Sequence, residues 1–307
     1  MWFKNLSIFR IVPPFETPAD LFLERLESQV FQSCQAGDAF REGWTPPLGV
    51  EGAPLLHVAQ GFWCVCLRRE EKVIPGGALR ERVAQRLDAT EAREGFRPGR
   101  KVREALKDEV LNEMLAVAFT QSRRTQAIID PRSGWLLVDS ASPGRSEDLV
   151  ALLRRSLEGF PVRRLVTLES PSKVMTRWLA EEAFPPGVRP EAACELKSPD
   201  VEGATVKAAR QDLSAPEMTH HLEVGKMVTR LALTYEDRLA FDLDDKLLLR
   251  RLRFLETEPA DSGPDPEDHA AQFDADFVLM ALELSRFIPI LTEWFGGEAA
   301  TDTPKPL

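Results

Sequence analysis

Three strand-like segments follow one another with only two residues between them. Lys226 to Tyr235, Arg238 to Leu243 and Lys246 to Leu255 are separated by Glu236-Asp237 and Asp244-Asp245. Connections this short join antiparallel neighbours, because a parallel return needs a crossover of a dozen or more residues. The spacing predicts an antiparallel meander with acidic residues at its turns. A second hairpin is expected from Thr125–Asp130 and Trp135–Ser140 across Pro131-Arg132-Ser133-Gly134, and a third from Leu55–Ala59 and Phe62–Arg68. Phe3–Ile11, Val162–Leu168 and Ala204–Arg210 read as further strands.

Helices are expected between these segments. One is capped by Thr17 with Pro18 at its first position, and one covers Gly76–Arg93. Ser146 caps another, closed by Gly159; Pro171 opens one that runs to about Glu182; Ser214-Ala215-Pro216-Glu217 is a capping box. A last long helix begins at Asp265, is bent at Pro289 and ends at Gly296-Gly297. Gly43–Gly49 and Phe184–Pro190 read as a loop and a linker. The result is an α+β chain of several lobes with antiparallel sheets and long helices. It divides into residues 1–75 (an N-terminal α+β part), 76–183 (helices and a hairpin) and 184–307 (the meander and the long helix).

Charge is unevenly placed. From Leu255 to Leu307 there are twelve acids against Arg286 and Lys305, which is the entire net charge of −10; residues 1–254 balance, 37 basic against 37 acidic. Within that balanced part, Arg97 to Arg124 is locally basic. Glu104 to Phe119 carries an apolar stripe at Leu106, Val110, Met114 and Val117, the spacing of one buried helix face. Arg97, Arg100, Lys101, Arg103 and Lys107 precede or open the helix, and Arg123 and Arg124 follow it. Two readings fit: a solvated helix with i,i+3 and i,i+4 pairs, or a phosphate-binding surface. Further cations lie at Arg154, Arg155, Arg163, Arg164, Lys207, Arg210, Arg250, Arg251 and Arg253. On a regular strand, Lys207 shares a face with Gln211 and opposes Arg210.

Much chemistry has no motif here. GxxxxGKS/T, GxGxxG, GxSxG and HExxH are missing. His57, His220, His221 and His269 are scattered, and Asp274 and Asp276 would point about 200° apart on a helix. Asp242, Asp244 and Asp245 read as turn residues. Of the four cysteines, Cys34, Cys64, Cys66 and Cys194, Cys64 and Cys66 share one face of an apolar strand and read as structural thiols of a reducing cytoplasm. No cofactor or metal is expected. The first twelve residues do not read as a signal peptide, and no run suits a bilayer span.

Several segments taken together resemble the RdgC family of recombination-associated proteins. They are Trp2-Phe3-Lys4-Asn5, Gly43-Trp44 with Pro46-Pro47 and Gly49, His57-Val58-Ala59, Glu70-Glu71-Lys72, Leu106 to Leu111, and Ala118-Phe119. Leu152-Leu153-Arg154, Gln211-Asp212-Leu213, Gly225-Lys226, Val228-Thr229, Phe273 to Phe277 and Gly296 to Ala299 continue the series. In order, they span residues 2–299.

The resemblance implies a ring-shaped homodimer whose basic central hole admits duplex DNA. It implies a non-enzymatic, cytoplasmic, nucleoid-associated protein that binds double-stranded DNA with little sequence preference and restrains RecA-driven recombination; single-stranded DNA is a second candidate ligand. On this chain Phe119 would lie at a subunit contact that gates the ring, and Arg210 and Gln211 would face the DNA. The family pattern has two basic residues before that Gln; here the first is Ala209, which places more of the charge on Arg210. The expected DNA-binding set is Arg97, Arg100, Lys101, Arg103, Arg123, Arg124, Lys207, Arg210 and Gln211. Two other readings stand beside it: a protein-interaction inhibitor of a recombinase with incidental DNA affinity, and a metal-dependent nuclease using the C-terminal acids.

Overall fold

The structure, a computed structural model, describes residues 2–12, 16–199, 203–255 and 266–299. Among these, twelve strands and seven helices alternate along the chain. The first part holds β1 (Asn5–Ile11), α1 (Ala19–Glu27), β2 (Phe40–Thr45), β3 (Leu56–Ala59) and β4 (Phe62–Lys72). Next come α2 (Gly76–Glu94), α3 (Arg100–Val117), β5 (Thr120–Asp130), β6 (Trp135–Val138), α4 (Pro143–Ser156), β7 (Val162–Arg164) and α5 (Pro171–Glu181). The rest is β8 (Val188–Lys197), β9 (Thr205–Ala209), α6 (Pro216–Glu223), β10 (Met227–Tyr235), β11 (Leu239–Asp244), β12 (Leu249–Phe254) and α7 (Pro266–Glu293).

All the strands join one antiparallel α+β sheet, ordered β2-β4-β5-β6-β1-β12-β11-β10-β8-β9, with β3 on β4 and β7 on β1. The meander is β10-β11-β12. Glu236 and Asp237 both take positive φ (48° and 55°), the backbone of a two-residue turn whose twist matches the strands. At the second turn Asp244 Oδ1 accepts from the backbone N–H of Lys246 and Leu248, so this aspartate is a turn residue as expected. Asp242 is not: it lies inside β11, 8 % exposed, within 3.4 Å of the Arg251 guanidinium.

Two apolar cores lie on opposite faces of the sheet. One face of β1, β4, β5 and β6 packs on α1 and α4 through Phe9, Trp63, Val65, Ile129, Leu136 and their helical partners Phe22, Leu149 and Leu153. The other face, with alternate residues of β8 and β10–β12, packs on α5, α6 and α7. Helix α7 presents Phe273, Phe277, Met280, Leu284, Phe287, Ile288 and Leu291, a three-and-four spacing that makes one continuous apolar stripe. It touches both halves of the sheet. Ser285 Oγ donates to Asp130 Oδ2 at the β5–β6 turn, and Asp274 lies 3.1 Å from His57 Nε2 on β3, off the direction of a good hydrogen bond. Pro289 sits inside α7 as expected, removing one N–H from its ladder.

The sequence expectations fail mainly at caps and edges. Thr17, Ser146 and Ser214 cap nothing. Helix α1 starts after Pro18, and α4 starts at Pro143, which leaves Ser146 buried and donating to Ser7 Oγ at 2.9 Å. Ser214 bonds Asp212 instead of the helix end. Val162–Leu168 shortens to β7, while Phe184–Pro190 is only partly a linker, because β8 begins at Val188 and pairs with β10. Strand β2 was not expected and takes the first three residues of the expected Gly43–Gly49 loop; its pattern of Phe40-Arg41-Glu42-Gly43 lacks apolar alternation. The expected cap Asp265 lies outside the described residues. Cys64 and Cys66 do share a face, fully buried, and burial pushes the Cys66 thiol up to about 12.

Helix α7 gives a direct test of this packing. Phe277→Ala, at a fully buried position, is expected to lower the unfolding free energy by about 3–5 kcal/mol. Leu279→Ala, two residues away and 53 % exposed, should cost below about 0.5 kcal/mol. Urea unfolding followed by Trp fluorescence measures both.

Candidate nucleic-acid interface

The basic stretch is divided by the fold. Helices α2 and α3 form a hairpin inserted between β4 and β5, whose ladder runs from Trp63↔Ile129 to Lys72↔Thr120. Gly95, with φ of 77°, ends α2 and turns the chain toward α3. Arg97, Arg100, Lys101 and Arg103 sit at this turn and on the first turn of α3, all exposed. Arg123 and Arg124 lie in β5, beyond the opposite end of α3, which is about 27 Å long at 1.5 Å per residue. A single linear segment thus supplies two separate cationic sites.

Helix α3 starts at Arg100 and stops at Val117, so the expected stripe is only partly buried. Val110 and Leu115 are buried, Leu106 and Met114 are half-buried, and Val117 is 78 % exposed. The physical reason is that α3 packs on α2, and a pair of helices needs only one narrow seam. Phe119 follows the helix. Its carbonyl accepts from the Val73 N–H at 2.9 Å, which fixes the backbone, while its ring is 88 % exposed. With Val73 and Val117 also exposed, the root of the hairpin carries an apolar patch.

Arg123 and Arg124 point to opposite faces of β5 and have opposite surroundings. Arg123 lies 2.9 Å from Glu71 and 3.7 Å from Asp148 of α4. Arg69 beside it reaches Glu42 at 2.9 Å and Asp148 at 3.5 Å, and Arg155 joins Glu42 at 2.5 Å. Three guanidiniums and three carboxylates therefore neutralise one another where α4 meets the sheet. Arg124 is exposed and opposes Arg68 across the ladder. Arg68 is held by Ser122 Oγ at 2.8 Å and lies over the Phe31 ring at 4.3 Å; Arg124 has no ion pair among the described residues. A Cβ at Gly49 would lie 2.7 Å from Arg124 Nη1, so the glycine makes room for the guanidinium. Sequence reasoning missed Arg68, Arg69 and Gly49; the run Arg68-Arg69-Glu70-Glu71 was the available signal.

On the far edge of the sheet, β9 ends at Ala209. Arg210 takes a left-handed φ of 56°, which breaks the strand alternation. The face-sharing expected for Lys207 and Gln211 does not apply, since it required a regular strand. Lys207 lies 3.7 Å from Glu195, which also faces Arg230 at 3.6 Å. Arg210 is exposed with no ion pair among the described residues. The Gln211 N–H donates to the Ala192 carbonyl at 3.2 Å, and its side chain lines a cleft of about 350 Å³ with Asp212 and Glu182. Among the described residues, no three His, Cys, Asp or Glu side chains gather as a metal-ion site. No helix of the described residues is long and apolar enough to cross a membrane.

This architecture, one antiparallel sheet with a helical hairpin carrying exposed cations at its tip, defines the class of α+β protein at hand. Residues 1–298 match a family model described as "Putative exonuclease, RdgC". The chain is 39 % identical over 301 residues to the recombination-associated protein RdgC of Halorhodospira halophila, covering 98 % of this chain and 99 % of that one. It is 39 % identical over 300 residues to the protein of the same name from Aeromonas hydrophila, and 38 % over 302 residues to that from Tolumonas auensis, covering 97 % and 98 % of this chain and 99 % and 100 % of theirs. The chain belongs to the RdgC family.

The two neighbours on β5 should separate experimentally. Arg123→Ala breaks a partly buried network and is expected to lower stability by about 1–3 kcal/mol. Arg124→Ala should leave the melting temperature within about 2 °C and reduce the salt slope of duplex binding by about one. Calorimetry and a salt titration of each variant decide it.

Proposed function

We propose that this chain is a non-enzymatic DNA-binding protein that encircles duplex DNA as a ring-shaped homodimer and restrains RecA-promoted recombination. The observation that carries the reading is a set of cations left without carboxylate partners. Arg97, Lys101, Arg103, Arg124 and Arg210 are all exposed and make no ion pair among the described residues, in a chain of net charge −10. Exposed cations without acids nearby attract phosphates, and they bind every sequence alike. Arg100 joins Glu104 at 2.9 Å and Lys207 faces Glu195, but both are largely exposed, so a phosphate can compete for either.

The exposed patch of Val73, Val117 and Phe119 supports the dimer, because contiguous apolar surface marks a contact. On this reading Phe119 meets its counterpart or another surface of the second subunit and closes the ring. An acidic exterior and a cationic lumen would then divide the charge asymmetry between outside and inside. The protein would act in the cytoplasm on the nucleoid.

Duplex affinity across a salt series tests the reading. Contact with about 6 to 10 phosphates predicts a fall of roughly 10³ to 10⁵ between 50 and 200 mM salt, alike for unrelated sequences. Arg210→Ala and Arg124→Ala together should reduce the slope by about two, and Phe119→Ala should convert dimer to monomer in sedimentation. A flat slope favours direct contact with the recombinase, with inhibition that survives loss of DNA binding. Cleavage that stops with a chelator would favour the nuclease named in the family description.

A further inference from the structure

Strand β12 contains one residue too many for its partner. Ala240 pairs with Arg253 and Asp242 with Arg250, so two steps along β11 match three along β12. The extra residue is a β-bulge, with Arg251 in the left-handed region at φ of 51°. Its effect shows in the burial pattern. Leu249 and Leu252, three residues apart, both face the core, and Arg251 and Arg253 are turned out to solvent. The bulge therefore concentrates guanidinium groups at the seam where β12 leaves β1. The two strands pair there at Asn5↔Arg250 and Leu6↔Leu249, and beyond the bulge the Leu252 N–H donates to the Lys4 carbonyl at 2.9 Å.

A cleft of about 880 Å³ opens at this seam. Four aromatic residues line it: Trp2, Phe3, Phe241 and Phe254. Phe3 and Phe241 are buried in the core, while Trp2 and Phe254 are half-buried and lie 4.8 Å apart at 49°. The indole N–H of Trp2 is shielded from solvent and has no hydrogen-bond partner among the described residues. Lys4, Arg251 and Arg253 bring positive charge to the cleft, and of the two carboxylates there Asp242 lies near Arg251 and Glu191 near Arg253. Both arginines are more than half exposed, at 75 % and 61 %, so these pairs are weak and yield to a stronger anion.

We infer that this cleft binds an unpaired nucleotide of a DNA strand, with the base against Trp2 and Phe254 and the adjoining phosphate on Arg251 and Arg253. Aromatic faces beside a cationic rim are the pairing that holds single strands, since every base offers a π-face and every linkage an anion. A paired base is stacked within its duplex and cannot enter, so the cleft discriminates strand state where the cations of the hairpin and β9 do not. The inference stands on the cleft and the bulge and is independent of whether the chain closes into a ring.

The test uses the full-length protein, a ten-nucleotide oligothymidylate and a duplex of mixed sequence. The double variant Arg251→Asn, Arg253→Gln keeps a residue tolerant of the left-handed backbone at the bulge. It is expected to weaken oligothymidylate binding about tenfold or more while duplex affinity stays within about twofold. Equal loss for both ligands would assign the arginines to a general phosphate surface and overturn the inference, as would unchanged single-strand affinity. Photocrosslinking of the unaltered protein with an oligonucleotide carrying 5-iodouracil supplies a second readout. Label on the peptide containing Trp2 or Phe254 supports the cleft, and label confined to other peptides refutes it.

Discussion

The two halves of the sheet are joined along a short seam, the pairs Asn5↔Arg250 and Leu6↔Leu249 and a hydrogen bond from the Leu252 N–H to the Lys4 carbonyl, and that joint is reinforced from beneath by side chains. Leu6 and Leu249 meet there, both fully buried, and the stripe of α7 lies in the same core. Two antiparallel pairs offer little backbone stabilisation by themselves. The apolar side chains beneath them offer far more, at about 1.5–3 kcal/mol for each large one fully buried. Helix α7 contributes at least seven such residues, and it ties to β3 and to the β5–β6 turn through Asp274 and Ser285. Through the sheet and this helix, the two halves that carry the exposed cations share one core.

Folding then sorts the basic residues by what surrounds them rather than by where they fall in the chain. Arg123 and Arg124 are neighbours, yet strand alternation sends one toward α4 and its acids and the other toward Gly49 and open solvent. Arg250 and Arg251 are also neighbours, and the bulge gives one to Asp244 and the other to the cleft. Counting charge along the sequence could identify a basic stretch, but the division into structural and available cations requires the strand register.

The order of the meander, its Glu236-Asp237 turn and the α2, α5 and α7 helices were legible from local signals such as a two-residue turn, the proline at the first position of α5 and Gly296-Gly297 after α7; the second turn is longer than expected, because β12 begins only at Leu249. Strand β2 was not legible, since its Arg, Glu and Gly are placed by pairing with β4 and by the network around Arg69. The capping serines failed for a related reason. Ser146 satisfies a buried contact with Ser7, which lies far away in sequence, and that interaction outweighs a local cap. Of the candidate site, the local excess of basic residues between Arg97 and Arg124 was readable; the separation of the hairpin tip from β5, the left-handed Arg210 and the bulge at Arg251 were not, because each is a property of backbone geometry.

Strand β1 lies in the interior of the sheet, between β6 and β12, although it precedes every other described strand in the sequence. As the chain emerges, one edge of β1 gains β6 after residue 138 and the other gains β7 along Phe9–Ile11 after residue 164, but the Asn5–Leu6 end of that second edge waits for residues near 250. An open edge of this kind can template pairing with another chain. Nascent molecules therefore pass through a stage in which Leu6 has neither its β12 partner nor α7 to cover it. The burden falls on synthesis: chain completion, rather than the stability of the finished protein, sets when this fold becomes safe from misassembly.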